Sequence, residues 1–366
     1  VTALRRTLAE VRIAAPGWVA ARVLVAAAWL GSGWWIDHRR NGVRPDAKAF
    51  GLFGWDGVFY RSVAAHGYRF EEHGALRFFP LYPLIGRLVD AVVAIGAGTA
   101  LLVVSNASAL LAAVLVYRLA RLETDRATAQ RSALLVALVP PAFVLVWGYA
   151  EALLIALAAA TFLGLRRRRW WGAAIAGYAA ALSRPTGVFL ALGAAVEAGR
   201  AVRDLRVRDL LPRLAAVAGP VLGAATYLWW VGREYGDWQI PLHLQNSLRG
   251  DVVNPIVRLG EAASDLVHLD KHGLHFPFAL ALVVLTVVVF QRLPASYGVF
   301  SAAIVLTSIS AENLNSIERY GLNAFPLVIA LALMARSRRA EQLTVLVCGA
   351  GLFGLCALAW VGTYVP

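Results

Sequence analysis

Residues 148–199 read GYAEALLIALAAATFLGLRRRRWWGAAIAGYAAALSRPTGVFLALGAAVEAG, and their punctuation decides the fold. An apolar run opens on Glu151 and closes on the arginine run Arg166 to Arg169. A second run follows at once, breaks at Ser183–Arg184–Pro185, and a third begins beyond the break. Proline lacks an amide hydrogen and turns the residue before it away from the helical region, so the break is a helix end. Apolar helical runs separated only by basic clusters are the pattern of a chain that crosses a bilayer repeatedly, with arginines marking one side.

The rest of the chain repeats that pattern. Hydrophobic residues make up 59% and charged residues 16% of the 366, against roughly 25% charged in an average soluble domain. Apolar segments recur along the whole length, many close to the roughly 20 residues that span a bilayer. The class is therefore an all-α polytopic membrane protein. The first apolar stretch, 17–36, is too long for a removed signal peptide and lacks the small-residue cleavage site. Cys348 and Cys356 both fall in the last apolar segment, which implies neither a disulfide framework nor a metal site. The net charge of +13 comes from arginines gathered between apolar segments. They read as topology signals facing cytoplasm and anionic lipid, which excludes nucleic acid as a partner.

Four basic clusters fix the orientation: Arg5, Arg6 and Arg12; the Arg166 run; Arg200, Arg203, Arg206, Arg208 and Arg213; and Arg336, Arg338 and Arg339. Between them spans are expected near 17–36, 97–119, 132–147, 148–165, 170–183, 186–199, 214–231, 276–291, 297–311, 320–335 and 342–362. That is about eleven, at the length a bilayer requires, with the N-terminus cytoplasmic and the C-terminus outside. Residues 81–95 are apolar but carry Arg87 and Asp90 on one helical face. Each ionised group costs about 2.5–3.5 kcal/mol at mid-bilayer, so this segment is expected to lie in the interface as an amphipathic helix. The expected organisation is one transmembrane domain over 1–366. Its two long outer loops, 37–96 and 232–275, are the kind of segment that carries function in a tight bundle.

The same counting brings several polar sites to the outer side. Asp56 lies in the first outer loop within FGWDGVFYRSVAAHGY. Glu151 starts a span, Arg184 sits in the break, and Glu312, Asn313, Glu318 and Arg319 share an outer turn. Each has two readings. Asp56 is a helix cap or surface carboxylate, or a base that takes a proton from a substrate hydroxyl. Glu151 pairs structurally with an arginine, or orients a substrate. Arg184 snorkels to water, or meets a lipid phosphate with its two-pronged guanidinium, and Arg319, beside Tyr320, has the same alternatives. Glu312 and Glu318 read as solvated turn residues. His66, His73, His243, His268, His272 and His275 fall outside, and the last three read as surface residues or as ligands. HExxH and CxxC are both absent from the sequence, so no metal site is supported.

Six stretches carry a resemblance: WDGVFYRSVAAHGY (55–68), RFFPLYPLIGRL (77–88), SNASALLAAVLVYRLARL (105–122), PPAFVLVWGYAEALLIAL (140–157), SRPTGVFLAL (183–192) and SIERYGLNAFPLVIALAL (316–333). In order and spacing they resemble PIG-V-like mannosyltransferases, over about residues 50 to 335. The Ala- and Arg-rich, Lys-poor composition points to a bacterial relative, for example actinobacterial. The resemblance implies a GT-C glycosyltransferase whose first outer loop carries the catalytic aspartate, here Asp56. It implies a polyprenyl-phosphate-mannose donor, with the sugar inverted on transfer to a glycolipid or lipid-linked glycan. The eukaryotic acceptor, a GPI precursor, has no bacterial counterpart, so the acceptor stays open. Another polyprenyl-linked sugar, such as arabinofuranose, is an alternative.

On that reading Asp56 is the base. Arg319 first and Arg184 second stabilise the charge that grows on the departing phosphate. Tyr320 and Tyr149 hydrogen-bond phosphate or sugar. Phe78, Phe79 and Tyr82 cover the lipid chain, Glu151 orients an arginine or binds sugar hydroxyls, and Trp55, Tyr60 and Asn313 complete the substrate contacts. No cofactor is called for when arginines carry the phosphate charge. Two other classes remain as alternatives. A flippase or transporter of lipid-linked sugars would place its charges near the bilayer midplane. A non-catalytic scaffold would tolerate loss of Asp56.

Overall fold

In the computed structural model, which describes residues 2–39, 42–43, 45–70, 74–200, 207–268 and 270–366, the apolar runs fold as helices. Arg203, Arg206 and His73 lie outside the described residues, as does the side chain of His272. In chain order the helices are α1 (Thr2–Arg39), α2 (Asp46–Ala49), α3 (Asp56–His66), α4 (Leu81–Val93), α5 (Ala97–Glu123) and α6 (Arg126–Leu138). Then come α7 (Glu151–Arg166), α8 (Trp170–Ser183), α9 (Leu190–Gly199), α10 (Val207–Tyr235), α11 (Ile240–Arg249) and α12 (Pro255–Val267). The last are α13 (His275–Arg292), α14 (Ala295–Ile309), α15 (Ile317–Asn323), α16 (Pro326–Met334) and α17 (Arg338–Val361). Among the described residues the one pairing of extended backbone outside helices is an antiparallel bridge, Val252 with Ala311.

Fewer helices than expected are long enough to cross a membrane. Five qualify by length and composition: α1, α5, α10, α13 and α17, the first and third in slightly trimmed form. A sixth is obtained if α15 and α16, bent by 94° at their junction, count as one. The other expected spans are shorter for local reasons. The 132–147 segment is cut by Pro140 and Pro141, which start a 3₁₀ turn over Pro140–Leu145. The 186–199 segment begins as a 3₁₀ turn, Pro185–Phe189, before α9. Helix α8 coincides with the expected 170–183 segment. The 81–95 segment is helix α4, whose Leu84, Leu88 and Val92 form an exposed apolar stripe four residues apart. Its Arg87 donates to the Ala64 carbonyl at 3.0 Å, and its Asp90 accepts from the Gly96 amide at 2.6 Å.

The chain forms two compact units. One comprises 1–70, 82–156 and 331–366, in which α1 packs on α5, α6 and α17. Two of its partly buried arginines are paired across helices. Arg22, the charge inside the first apolar stretch, donates twice to Asn106 Oδ1 at 2.7 and 2.9 Å, and Arg118 holds Glu10 at 2.6 Å. The other unit comprises 71–81 and 157–330. Here α8 lies against α10, and small residues set the distance, as in membrane helix packing. A β-carbon on Gly219 would stand 2.5 Å from the Ala174 carbonyl oxygen. Buried Glu197 joins three helices, accepting from Arg166 and Arg200 at 3.1 Å and from the Ser296 hydroxyl at 2.6 Å.

Candidate functional site

The first unit carries Asp56, and its backbone is bent to do so. Trp55 holds φ 59° and ψ −123°, a conformation that favours glycine and costs a larger residue on the order of 1–3 kcal/mol. Strain of this size persists only where the surroundings enforce it, and four residues do so through five hydrogen bonds. Tyr149 donates its hydroxyl to the Gly54 carbonyl at 3.0 Å and accepts from the Asp56 amide at 3.2 Å. The Gly148 amide donates to Leu52 O at 2.9 Å. Trp360 Nε1 donates to Gly51 O at 2.9 Å, and Trp55 Nε1 donates to Ala359 O at 3.0 Å. Gly54 is required for closeness, since a β-carbon there would sit 2.8 Å from Ala47 O.

Asp56 is the first residue of α3, and Trp55 occupies the cap position with no side-chain capping bond. The cap reading of Asp56 therefore fails. A carboxylate in the first turn also sits at the positive end of the helix dipole. Around this turn Tyr60 is buried, its ring edge-on to Tyr82 at 5.1 Å and tilted against Tyr149 at 6.4 Å. Tyr82, in α4, donates to Leu101 O at 2.9 Å. Burial, then the charges of Tyr60 and Glu151, push its phenol up from the usual value. Glu151, fully buried at the start of α7, thus stands in the electrostatic neighbourhood of Tyr60 and Tyr82. Beneath the turn, the buried Lys48 donates to Ser32 Oγ at 2.8 Å and lies 3.4 Å from the Trp29 ring centroid and 5.1 Å from that of Trp360.

The second unit carries the arginines. Arg184 adopts extended backbone between α8 and the 185–189 turn and is 7% exposed, so it does not snorkel. Arg319 and Glu318 lie in α15, behind Ser316, whose φ of 66° is again left-handed. Glu318, expected to be solvated, is instead buried and paired with His275 Nδ1 at 2.8 Å. His275 likewise is buried at the start of α13 rather than a surface loop residue. The reason is that α13 begins at His275 itself and packs on α15, closing both groups from water. Glu312 is exposed, as its turn position suggested, and accepts from the Asp251 amide at 3.2 Å.

Tyr320 is the centre of this region. Gln245 Nε2 donates to its hydroxyl at 3.1 Å, the Arg249 guanidinium lies 4.4 Å from its ring centroid, and that of Arg319 lies 5.5 Å away. Arg249 also donates to Ser308 O at 2.8 Å. Burial first, and the Arg319 charge after it, lower the Arg249 pKa, with Tyr320 acting in the opposite sense. The segment after α11 is laced to the turn before α15. Asn313 N donates to Arg249 O at 2.9 Å, Glu312 N to Asp251 O at 3.1 Å and Val253 N to Ser310 O at 2.8 Å. The Asn313 side chain serves the same lacing, accepting from Asn315 N at 2.8 Å. Phe78 and Phe79 are buried, Phe79 against Tyr227 at 4.6 Å.

Thus Asp56, Trp55, Tyr60, Tyr82, Tyr149 and Glu151 fall in one unit, and Phe79, Arg184, Asn313, Arg319 and Tyr320 in the other. Lys48, Gln245, Arg249 and Trp360 were not singled out from the sequence. Arg249 ends α11 in a polar stretch, QNSLRGD, where nothing in the sequence marks it from its neighbours. Among the described residues no three His, Cys, Asp or Glu gather as metal ligands would. His66, His243 and His268 are exposed.

Residues 46–196 match the family model for mannosyltransferase (PIG-V). The resemblance seen in the sequence motifs therefore holds over that segment, which includes Asp56, Tyr149, Glu151 and Arg184. In structure the chain is similar to ArnT from Cupriavidus metallidurans, solved with undecaprenyl phosphate. The TM-score is 0.52 at 16% identity, over 90% of this chain and 62% of that one. The archaeal oligosaccharyltransferase AglB from Archaeoglobus fulgidus, solved with an inhibitory peptide and a dolichol-phosphate, matches with a TM-score of 0.45 at 15% identity. That match covers 94% of this chain and 56% of the other. This chain spans less than two thirds of the length of either. No curated protein matches it in sequence. The fold is that of GT-C membrane proteins, and the chain is a multi-pass membrane protein.

Proposed function

We propose that this chain is an inverting glycosyltransferase of the plasma membrane. It moves mannose from a polyprenyl-phosphate-mannose donor to a hydroxyl of a glycolipid or lipid-linked glycan. The N-terminus is placed in the cytoplasm and the reaction on the extracytoplasmic face, over a single transmembrane domain. The observation that carries the reading is the strained Trp55–Asp56 turn, held from four sides, inside the segment that matches the mannosyltransferase family.

The chemistry follows from the residues. Asp56 accepts the proton of the acceptor hydroxyl, help that is typically worth ~10²–10⁴ in rate. The freed oxygen attacks the anomeric carbon from the face opposite the phosphate, and the bond from that carbon to the phosphate oxygen breaks. The configuration inverts, from a β-linked donor to an α-linked product. The leaving polyprenyl phosphate gains a negative charge, so a guanidinium beside it stabilises the transition state more than the ground state. Arg319 has this role first and Arg184 second, with Tyr320 as a further hydrogen-bond donor. Tyr149 holds the Asp56 turn, Glu151, Trp55 and Tyr60 contribute sugar contacts, and Phe79 and Tyr82 support the lipid-binding walls. Arginines carry the phosphate charge, so no divalent metal is required.

The test is transfer by the purified chain from polyprenyl-phosphate-mannose to a panel of glycolipid acceptors, with and without EDTA. Labelled product that disappears in Asp56→Asn and persists in EDTA supports the reading. Transfer that survives Asp56→Asn removes the base assignment. Donor translocation without any transfer product replaces the enzyme by a flippase.

A further inference from the structure

We propose that Lys48 is a positioning residue for Asp56: its buried ammonium pins helix α2 and the Trp360 indole against α1, and so sets the turn that presents the carboxylate. The role rests on the glycosyl-transfer reading above, in which Asp56 is the base. Every residue involved belongs to the unit that carries Asp56.

A helix of four residues, such as α2, makes too few internal hydrogen bonds to hold its own position. Lys48 anchors it from within. The residue is 3% exposed, and its ammonium donates to the Trp29 carbonyl and, at 2.8 Å, to Ser32 Oγ, both in α1. Ser32 Oγ also donates to Trp29 O at 3.0 Å. The same ammonium lies 3.4 Å from the Trp29 ring centroid and 5.1 Å from that of Trp360 in α17, and the two indoles meet edge-on at 4.9 Å. Burying an ammonium costs desolvation that a methionine of similar length would avoid, so filling the space does not call for it. Its charge is what fastens the rings, since an indole face attracts a cation most strongly where water is excluded. Of the 35 basic residues in the chain two are lysines, Lys48 and Lys271. A compact point charge with rotating donors suits this confined seat better than the planar fork of arginine.

Two routes lead from this seat to Asp56. Trp360, with Lys48 at its ring, donates its Nε1 hydrogen to Gly51 O at 2.9 Å. Ala47, the neighbour of Lys48, backs on Gly54 so closely that a β-carbon there would stand 2.8 Å from Ala47 O. Gly51 and Gly54 bracket the segment that ends in the strained Trp55, and Asp56 follows directly. Trp360 also packs on Trp147 at 5.0 Å, and Trp147 on Tyr149 at 6.0 Å, the residue that holds both Gly54 O and Asp56 N. A base misplaced by about 1 Å, even from a change far from the chemistry, loses up to ~10²-fold in rate. Lys48 therefore acts on turnover through the turn, without touching substrate.

Full-length protein in lipid nanodiscs, labelled with fluorotryptophan, would be prepared as wild type, Lys48→Met, Lys48→Arg and Ser32→Ala, with the Trp360 signal assigned from Trp360→Phe. Fluorine NMR reports on the Trp360 indole, a thermal melt on stability, and the transfer assay on kcat and KM. Lys48→Met is expected to move the Trp360 signal and to lower kcat roughly ten- to a hundredfold, with donor and acceptor KM little changed. Its thermal midpoint is expected to hold or rise, because a buried charge has gone. Lys48→Arg, which keeps the charge and strains the seat, is expected to recover part of kcat. Ser32→Ala removes one of the ammonium's hydrogen bonds, moves signal and kcat the same way by less, and carries the test if Lys48→Met does not fold. Wild-type kcat in the folded variants overturns the proposal. So does an unmoved Trp360 signal, or a kcat loss that only matches the loss of folded protein. If Lys48→Met and Ser32→Ala keep wild-type kcat while Asp56→Asn abolishes transfer, the positioning role falls and the transferase reading stands. If wild type transfers nothing while Lys48→Met moves the Trp360 signal, the pinning of the turn stands and the transferase reading falls.

Discussion

The Asp56 turn and the Tyr320 turn begin alike and are finished by opposite means. Each opens on a non-glycine residue of positive φ, Trp55 at 59° and Ser316 at 66°, followed directly by a short helix that bears the proposed site residues. Around Asp56 the fastening is mostly backbone. Carbonyls of Gly51, Leu52 and Gly54 are each taken by a donor from a distant segment, so the turn is fixed whatever charge the carboxylate holds. Around Tyr320 the fastening is side chains and charge, with His275 on Glu318 and two arginines on one ring. A proton acceptor needs a fixed position, which neutral hydrogen bonds supply cheaply. Guanidiniums gathered on one ring repel each other and must be held in place by aromatic and carbonyl contacts instead.

The comparison can be broken at either end. The largest effect is expected at Asp56→Asn, which should cut transfer by about 10²–10⁴ while leaving the thermal midpoint nearly unchanged, since the turn is held by backbone. A drop in stability matching the drop in rate would show that the carboxylate was structural. The next is at the other turn. Leaving a buried polar partner unsatisfied costs about 1–3 kcal/mol, so His275→Ala should destabilise measurably in a thermal or denaturant melt. The double change His275→Leu with Glu318→Leu should recover much of that loss. Equal melts for wild type and His275→Ala would remove the idea that the His275–Glu318 bond builds this turn.

Tyr149→Phe sharpens the contrast, because it deletes one donor and one acceptor of the Asp56 turn without touching charge. Loss of hydrogen bonds of this kind is worth about 1–2 kcal/mol, so kcat should fall roughly tenfold with the acceptor KM little changed. The smallest effect lies outside both regions. Asp125 caps α6 through the Thr128 amide at 2.9 Å, and its bonds to Thr128 hold its carboxyl down at about 2. Asp125→Ala should cost about 1 kcal/mol. A depressed carboxylate contributes fully above its unfolded pKa, so the difference between the two proteins should fade as pH falls through about 2, leaving matching melts below it.

Much of this was legible in the sequence, and the limits have physical causes. Composition and apolar recurrence are sums over many residues, so the all-helical membrane class was readable. Break positions were readable wherever proline enforces them, as at Pro185. Span count was not, because hydropathy sees apolar length but not the 3₁₀ turn at Pro140–Leu145 or the 94° bend between α15 and α16. Asp56 stood out through its aromatic surroundings. Glu318 was misjudged as solvated because its partner, His275, is 43 residues away and looked like a loop residue. The contacts of Arg249 were invisible for the same reason, since only folding brings Tyr320 and Ser308 to it.

One feature of the Asp56 turn bears on how the protein comes into being. Two of its fastenings come from Ala359 and Trp360, 304 and 309 residues further along the chain. A ribosome delivers those residues long after the turn itself has emerged. The strained Trp55 backbone therefore has no complete enforcement while the chain is being threaded into the membrane, and the turn tightens only when α17 arrives. The newborn protein would stay idle through the insertion of everything between the turn and α17, with that distant helix as the key.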